Sequence, residues 1–215
     1  MIGLTIMTNQ KRDDIISYFN EILPDAKCEL DYFNDYSLLI AVVLSAQTTD
    51  ASVNKVTPVL FNRFPSLDAL AAASLEEVEK CIKQIGLYHN KAKNIIALSN
   101  ELINRFNGKV PNNKEDLLTL PGVGNKTANV VLCELFNQNE FPVDTHVNRV
   151  SKRLKLAKIT DDLYIVELKL RKYFSKDSYI LLHHQFIHFG RYYCTSRNPK
   201  CENCKLKQYC NFKIK

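Results

Sequence analysis

The stretch "EDLLTLPGVGNKTANVVL", residues 115 to 132, decides how the chain folds. A short run of apolar residues at helical spacing ends at Leu120, and a second opens at Asn125. Pro121 has no N–H and cannot continue the first helix, while Gly122 and Gly124 admit backbone conformations closed to residues with a Cβ. The expectation is a tight helical hairpin with outward-facing amides. Those N–H groups lie at the positive end of the following helix, which makes a site for one phosphate oxygen and reads no base sequence.

Outward from the hairpin the chain reads as helix almost throughout. Residues 13–23, 35–47, 50–64, 75–86, 90–106, 125–136, 143–156, 161–174 and 178–194 each carry apolar residues near a helical period, and no stretch alternates as a strand. Ser74 with Glu77 forms a capping box, Asn113 caps "KEDLLTL", and Gly86 and Gly108 stand where helices should end. Short connections between these runs predict a compact all-α protein. At 215 residues it can bury a sizeable core and needs no disulfide staples. The opening "MIGLTIMTNQKRDD" has no basic residue ahead of its apolar stretch and turns charged quickly. It therefore fits neither a signal peptide nor a membrane span, and Met7 is a second candidate start.

Without an export signal the expected compartment is reducing, so Cys28, Cys81 and Cys133, set in apolar stretches, read as core thiols. The other four, Cys194, Cys201, Cys204 and Cys210, are separated by six, two and five residues and read as metal ligands. Four thiolates suit Zn²⁺ or an iron–sulfur cluster equally. From Arg191 to Lys215 seven basic residues face one acid, Glu202, an excess equal to the +6 of the whole chain. Thiolate ligands favour basic neighbours, and a basic segment with Lys205 and Lys207 suits phosphates.

The hairpin resembles the helix-hairpin-helix motif of DNA-binding proteins, with Pro121, Gly122, Val123, Gly124 and Thr127 at the phosphate. Lys126 falls in the first turn of the second helix, where a cation opposes the helix dipole and stabilises nothing. It is either a further phosphate contact or a nucleophile; an unperturbed lysine, of pKa about 10.4, is neutral only about once in a thousand molecules at pH 7. Asp144 in "FPVDTHVNRV" is by itself a helix N-cap. Taken together, "LSAQTTD", "LPGVGNKTANVVL", "VDTHVNRV" and the cysteine spacing resemble the endonuclease III family of DNA glycosylases, from about residue 10 to 211.

That resemblance implies a six-helix barrel over 28–138 holding the hairpin, and a second helical domain from 1–27 and 139–215. It implies a [4Fe-4S] cluster on Cys194, Cys201, Cys204 and Cys210. Lys126 would attack C1′ of a flipped damaged nucleotide, and Asp144 would assist departure of the base. Gln47 and Leu87 match the positions that fill the gap and wedge the stack; by themselves they read as a polar helix end and a core leucine. Asn125 stands where a basic residue is expected and Cys133 where Asn is. The implied partner is duplex DNA with damaged pyrimidines or abasic sites, acted on by a monomer in the cytoplasm, nucleoid-associated in a bacterium, with no membrane role. Two rivals are weighed. An adenine-removing mismatch glycosylase should lack the motif lysine and carry an extra C-terminal domain, and a non-catalytic helix-hairpin-helix protein with structural zinc would make Lys126 and Asp144 a coincidence.

Overall fold

The computed structural model describes residues 9–212. The second candidate start at Met7, and Lys213 and Lys215 of the basic segment, lie outside the described residues. In chain order the α-helices are α1 (Asn9–Ile22), α2 (Asp35–Leu44), α3 (Asp50–Arg63), α4 (Leu67–Ala71), α5 (Leu75–Ile82) and α6 (Tyr88–Phe106). They continue as α7 (Lys114–Thr119), α8 (Asn125–Phe136), α9 (Thr145–Arg153), α10 (Leu163–Tyr173) and α11 (Tyr179–His188). No strand occurs among the described residues, which bears out the all-α class. None of these helices is long and apolar enough to cross a membrane.

The chain divides into two compact units, Glu29–Gln138 and a second made of Met1–Cys28 with Asn139–Lys215. In the first, the centre is α2, whose residues from Ser37 to Leu44 are all buried. A helix apolar on every side must be surrounded, and α3, α6 and α8 pack around it. The long α6 also carries α4 and α5. Sequence periodicity passes over α4, because five residues are too few to show a period; its signal is Ser66, whose hydroxyl accepts from the Ala69 N–H at 3.1 Å.

In the second unit α1 is part of the core of the C-terminal helices. Phe19 meets Phe186 edge to face at 5.0 Å between centroids and Phe189 at the same distance, and Phe186 in turn packs on Phe141 and Phe174. Leu206, from the cysteine-bearing segment, is fully buried in the same cluster. Gln185 Nε2 donates to Asn20 Oδ1 and to the Leu23 carbonyl, which ties the end of α1 to α11.

Helix starts follow the cap chemistry. Asn34, Thr49, Ser66, Ser74, Asn113, Asp144 and Asp162 each accept from a backbone N–H of the helix they open. Ser74 caps α5, and Glu77 bonds the Ser74 hydroxyl at 2.9 Å, pairs with Arg63 and takes a backbone bond from Ser74, which helps to lower its pKa. One detail differs from expectation. Helix α5 ends before Gly86, at a Lys83 cap, and the left-handed residue there is Leu87, next to Gly86. Three helices, α6, α8 and α11, begin on Leu87, Gly124 and Ser178 with no side-chain cap.

Candidate active site

The hairpin closes with the Val123 N–H donating to the Leu120 carbonyl at 3.1 Å. Pro121 occupies the second position of this turn and Gly122, at φ +79, the third, the arrangement of a type II turn. A Cβ on Gly122 would meet Asn94 Nδ2 and Val43 Cγ1 at 3.0 Å, so the turn also lies hard against α6 and α2. Gly124 corrects the sequence reading. Its φ of −101 and ψ of −179 are extended backbone that any residue adopts, and a Cβ there meets nothing within 4 Å. What Gly124 leaves is open space in front of the uncapped N–H groups of α8. Lys126, the second residue of α8, is exposed in that first turn, while Thr127 and Val123 are buried beneath it.

Gln47 and Leu87 belong to the same unit, and both have left-handed backbone, at φ 55 and φ 59. Neither is Gly or Asn, so each costs about 1–2 kcal/mol of strain. Both are exposed; Leu87 keeps 55% of its surface and is no core leucine. Gln47 sits in the Ser45–Thr48 turn between α2 and α3, closed by the Thr48 N–H on the Ser45 carbonyl at 3.0 Å.

Asp144 lies in the other unit, at the start of α9. Its Oδ1 accepts from the Val147 N–H at 2.8 Å, so the cap expected of an isolated aspartate is there. Asp144 also acts on two titratable neighbours along α9, His146 and Arg149. Burial lowers the pKa of His146, with Arg149 and Arg191 adding to the fall and Asp144 opposing it. Arg149 donates to the Gly190 carbonyl at 2.7 Å and to the Cys194 carbonyl at 3.3 Å.

From α11 the chain passes into a π-helical turn, Phe189–Tyr193, in which the Cys194 N–H reaches the Phe189 carbonyl at 2.7 Å. The extra residue per turn aims Cys194 inward. Cys194, Cys201, Cys204 and Cys210 line one cavity of about 320 Å³, walled by Phe189, Phe212 and other apolar side chains. Arg153, at the end of α9, donates to the carbonyls of Cys194, Thr195 and Ser196 and to Cys194 Sγ at 3.2 Å. The guanidinium also stacks on Phe212 at 3.9 Å.

Comparison with known proteins gives this geometry its family. Residues 40–176 match the HhH-GPD superfamily base excision DNA repair protein family, and residues 194–210 match the iron-sulfur binding domain of endonuclease III. Endonuclease III of Bacillus subtilis (strain 168) is 43% identical over 205 residues, covering 95% of this chain and 94% of that protein. The chain belongs to the endonuclease III family. A non-covalent endonuclease III–DNA complex superposes with a TM-score of 0.92 at 46% identity, over 96% of each chain. A trapped endonuclease III–DNA covalent intermediate, an estranged-adenine complex, does so with the same score and identity, over 96% of this chain and 97% of that one.

As a member of the endonuclease III family the chain carries a [4Fe-4S] cluster, which the four thiolates of the 194–210 segment would hold. The site fits it. The donor set is four cysteines around a volume with apolar walls, and among the described residues no three His, Cys, Asp or Glu side chains converge as the ligands of a single ion would. Arginine donors on Cys194 offset the charge that cluster ligation brings.

Within the family frame, the structure brings the hairpin, Lys126, Gln47 and Leu87 into one unit, and Asp144 with the four cysteines into the other. Lys205 and Lys207 are both exposed, and Lys205 Nζ pairs at the surface with both oxygens of Glu21 at 2.6 Å. Arg149, Arg153 and Lys91 were not singled out from sequence. Each reads there as an ordinary cation on a helix, and only tertiary packing buries it.

Proposed function

We propose that this protein is a bifunctional DNA glycosylase and abasic-site lyase of base excision repair, removing oxidised pyrimidines from duplex DNA. The observation that carries the reading is an exposed lysine in the first turn of an uncapped helix, directly after a Pro-Gly-Val-Gly turn. Phosphate would be taken by N–H groups of the turn and of the uncapped start of α8, which fixes the strand without reading it. Pro121, Gly122, Val123, Gly124 and Thr127 build that cradle, and the open space at Gly124 admits the phosphate.

Lys126 in its neutral form then attacks C1′ of the extruded nucleotide. The C1′–N bond breaks, and the base leaves with the bonding electrons and takes up a proton. Positive character develops on the sugar as the base departs, and the Asp144 carboxylate stabilises it and assists the proton movements. The amine opens the sugar to a Schiff base. Loss of a C2′ proton then breaks the C3′–O bond and expels the 3′ phosphate, after which water releases Lys126. The relative trapped as a covalent intermediate supports a covalent route. The cluster, when bound, supplies four iron–thiolate bonds that tie the 194–210 segment together.

In this reading the barrel domain (28–138) grips the strand and opens the helix through Gln47 and Leu87, and the remaining chain (1–27 and 139–215) supplies Asp144 and the cluster. The protein works as a monomer in the cytoplasm, on the nucleoid where its source is bacterial. The adenine-removing and zinc alternatives are not favoured, since Lys126 is present and the cysteine segment matches an iron–sulfur domain. The test is incubation with duplexes carrying an oxidised pyrimidine, with borohydride present or absent. Base release, cleavage 3′ to the site and a borohydride-trapped adduct are expected. Base release without adduct or strand cleavage, or release of undamaged adenine from a mismatch in its place, overturns the proposal.

A further inference from the structure

Lys91 is the buried cation that the reaction does not use. It lies one turn into α6, is only 4% exposed, and has no ion-pair partner among the described residues. Burial alone lowers its pKa. An unpaired ammonium is expensive to bury, and a cation in the first turn of a helix opposes the dipole, so a methionine of similar length would serve the fold better. Its side chain shows what the lysine adds: Nζ donates to Thr48 Oγ1 at 2.6 Å, whereas the backbone N–H on the Leu87 carbonyl at 3.0 Å is the first bond of α6, which any residue but proline makes. Thr48 closes the turn that holds Gln47 left-handed, and Leu87 is the left-handed residue that opens α6. Strained backbone persists only where its surroundings over-determine it, and Lys91 Nζ runs from the first turn of the helix that Leu87 opens to the turn that holds Gln47.

We propose that Lys91 is a positioning residue, which ties the Ser45–Thr48 turn to the start of α6 and so sets Gln47 and Leu87 together for insertion into the opened duplex. The inference rests on the insertion roles of Gln47 and Leu87. It concerns base extrusion after binding, so it predicts a change in kcat on duplex with little change in KM, and none in amine chemistry on a strand already open.

The experiment compares cluster-loaded wild-type protein with Lys91→Met, Gln47→Ala/Leu87→Ala and the triple variant. Lys91→Met should lower kcat on a damaged duplex about tenfold, with an unchanged or higher melting temperature. Borohydride trapping on a single-stranded abasic oligonucleotide should stay at the wild-type level. Added to Gln47→Ala/Leu87→Ala, it should cost nothing further, because it acts through those residues. Wild-type duplex kcat in Lys91→Met, an equal loss on the single strand, or a further tenfold loss in the triple variant overturns the positioning role. If Gln47→Ala/Leu87→Ala itself excises normally, the insertion roles fail instead. Should Lys91→Met not fold, Thr48→Ala and Thr48→Ser test the bond from its other end. Loss in Ala with recovery in Ser supports the proposal, and equal behaviour of the two overturns it.

Discussion

Helix α8 starts on Gly124 with no side chain over its first N–H groups and an exposed Lys126 in its first turn, whereas α9 starts on Asp144, whose carboxylate holds the Val147 N–H at 2.8 Å. The first start is poor by every rule of helix stability. It lacks a cap and places a cation at the positive end of the dipole. The second is a good start and would need no other explanation. A residue that serves the fold badly, like Lys126, therefore points to a role outside the fold, and one that serves the fold well, like Asp144, would conceal such a role. Substitutions can separate the two cases because they remove structure from one helix start and almost none from the other.

The largest effect should come at Lys126. Lys126→Gln is expected to abolish the borohydride-trapped adduct on damaged-base and abasic duplexes alike, while binding at the damaged site and melting temperature hold. At Asp144 the effect should be next in size and divided. Asp144→Asn keeps a capping side chain, so excision should fall roughly 10²–10⁴-fold with stability little changed. Cleavage of an abasic site, which has no base to expel, should fall less. Asp144→Ala should add a loss of about 1 kcal/mol in stability as the cap disappears. An Asp144→Asn protein that unfolds while its folded fraction excises normally would reduce Asp144 to a cap.

The glycines sharpen the contrast within α8. Gly122→Ala meets both a left-handed φ of +79 and neighbours at 3.0 Å, so chemical denaturation should show a loss of about 2 kcal/mol or more. Gly124→Ala enters open space in extended backbone and should cost under about 0.5 kcal/mol of stability. Its deficit should appear in DNA affinity, since the methyl group stands where the phosphate approaches. The smallest effect belongs to the basic segment. Lys207→Ala should weaken binding equally on damaged and undamaged duplex and lower the salt slope by about one. Lys205→Ala should change the slope less, because that ammonium is paired with Glu21.

What could be read from sequence follows the range of the forces involved. Helical period, side-chain caps and the Pro-Gly turn are local, and they locate most of the helices and the hairpin. The cysteine spacing is local too. Its metal stayed open between zinc and iron–sulfur until a family resemblance was added, because thiolate chemistry accepts both. Local signals fail where a backbone state is imposed from outside. Gly86 reads as the turn residue, yet the left-handed position falls on Leu87, and Gly124 reads as conformationally special yet is extended. The π turn before Cys194 reads as one more turn of α11. Lys91 and Arg153 read as solvated cations, and their burial depends on segments 43 and 41 residues away in the chain.

The account rests most heavily on Lys126 being the amine that joins the sugar, and peptide mapping of the borohydride-trapped complex tests that directly. Protein reduced on an abasic duplex, digested with nuclease and protease, should carry the residual sugar mass on the peptide containing Lys126 and on no other. The same mass on a peptide containing Lys91 or another lysine, with the Lys126 peptide unmodified, would contradict it.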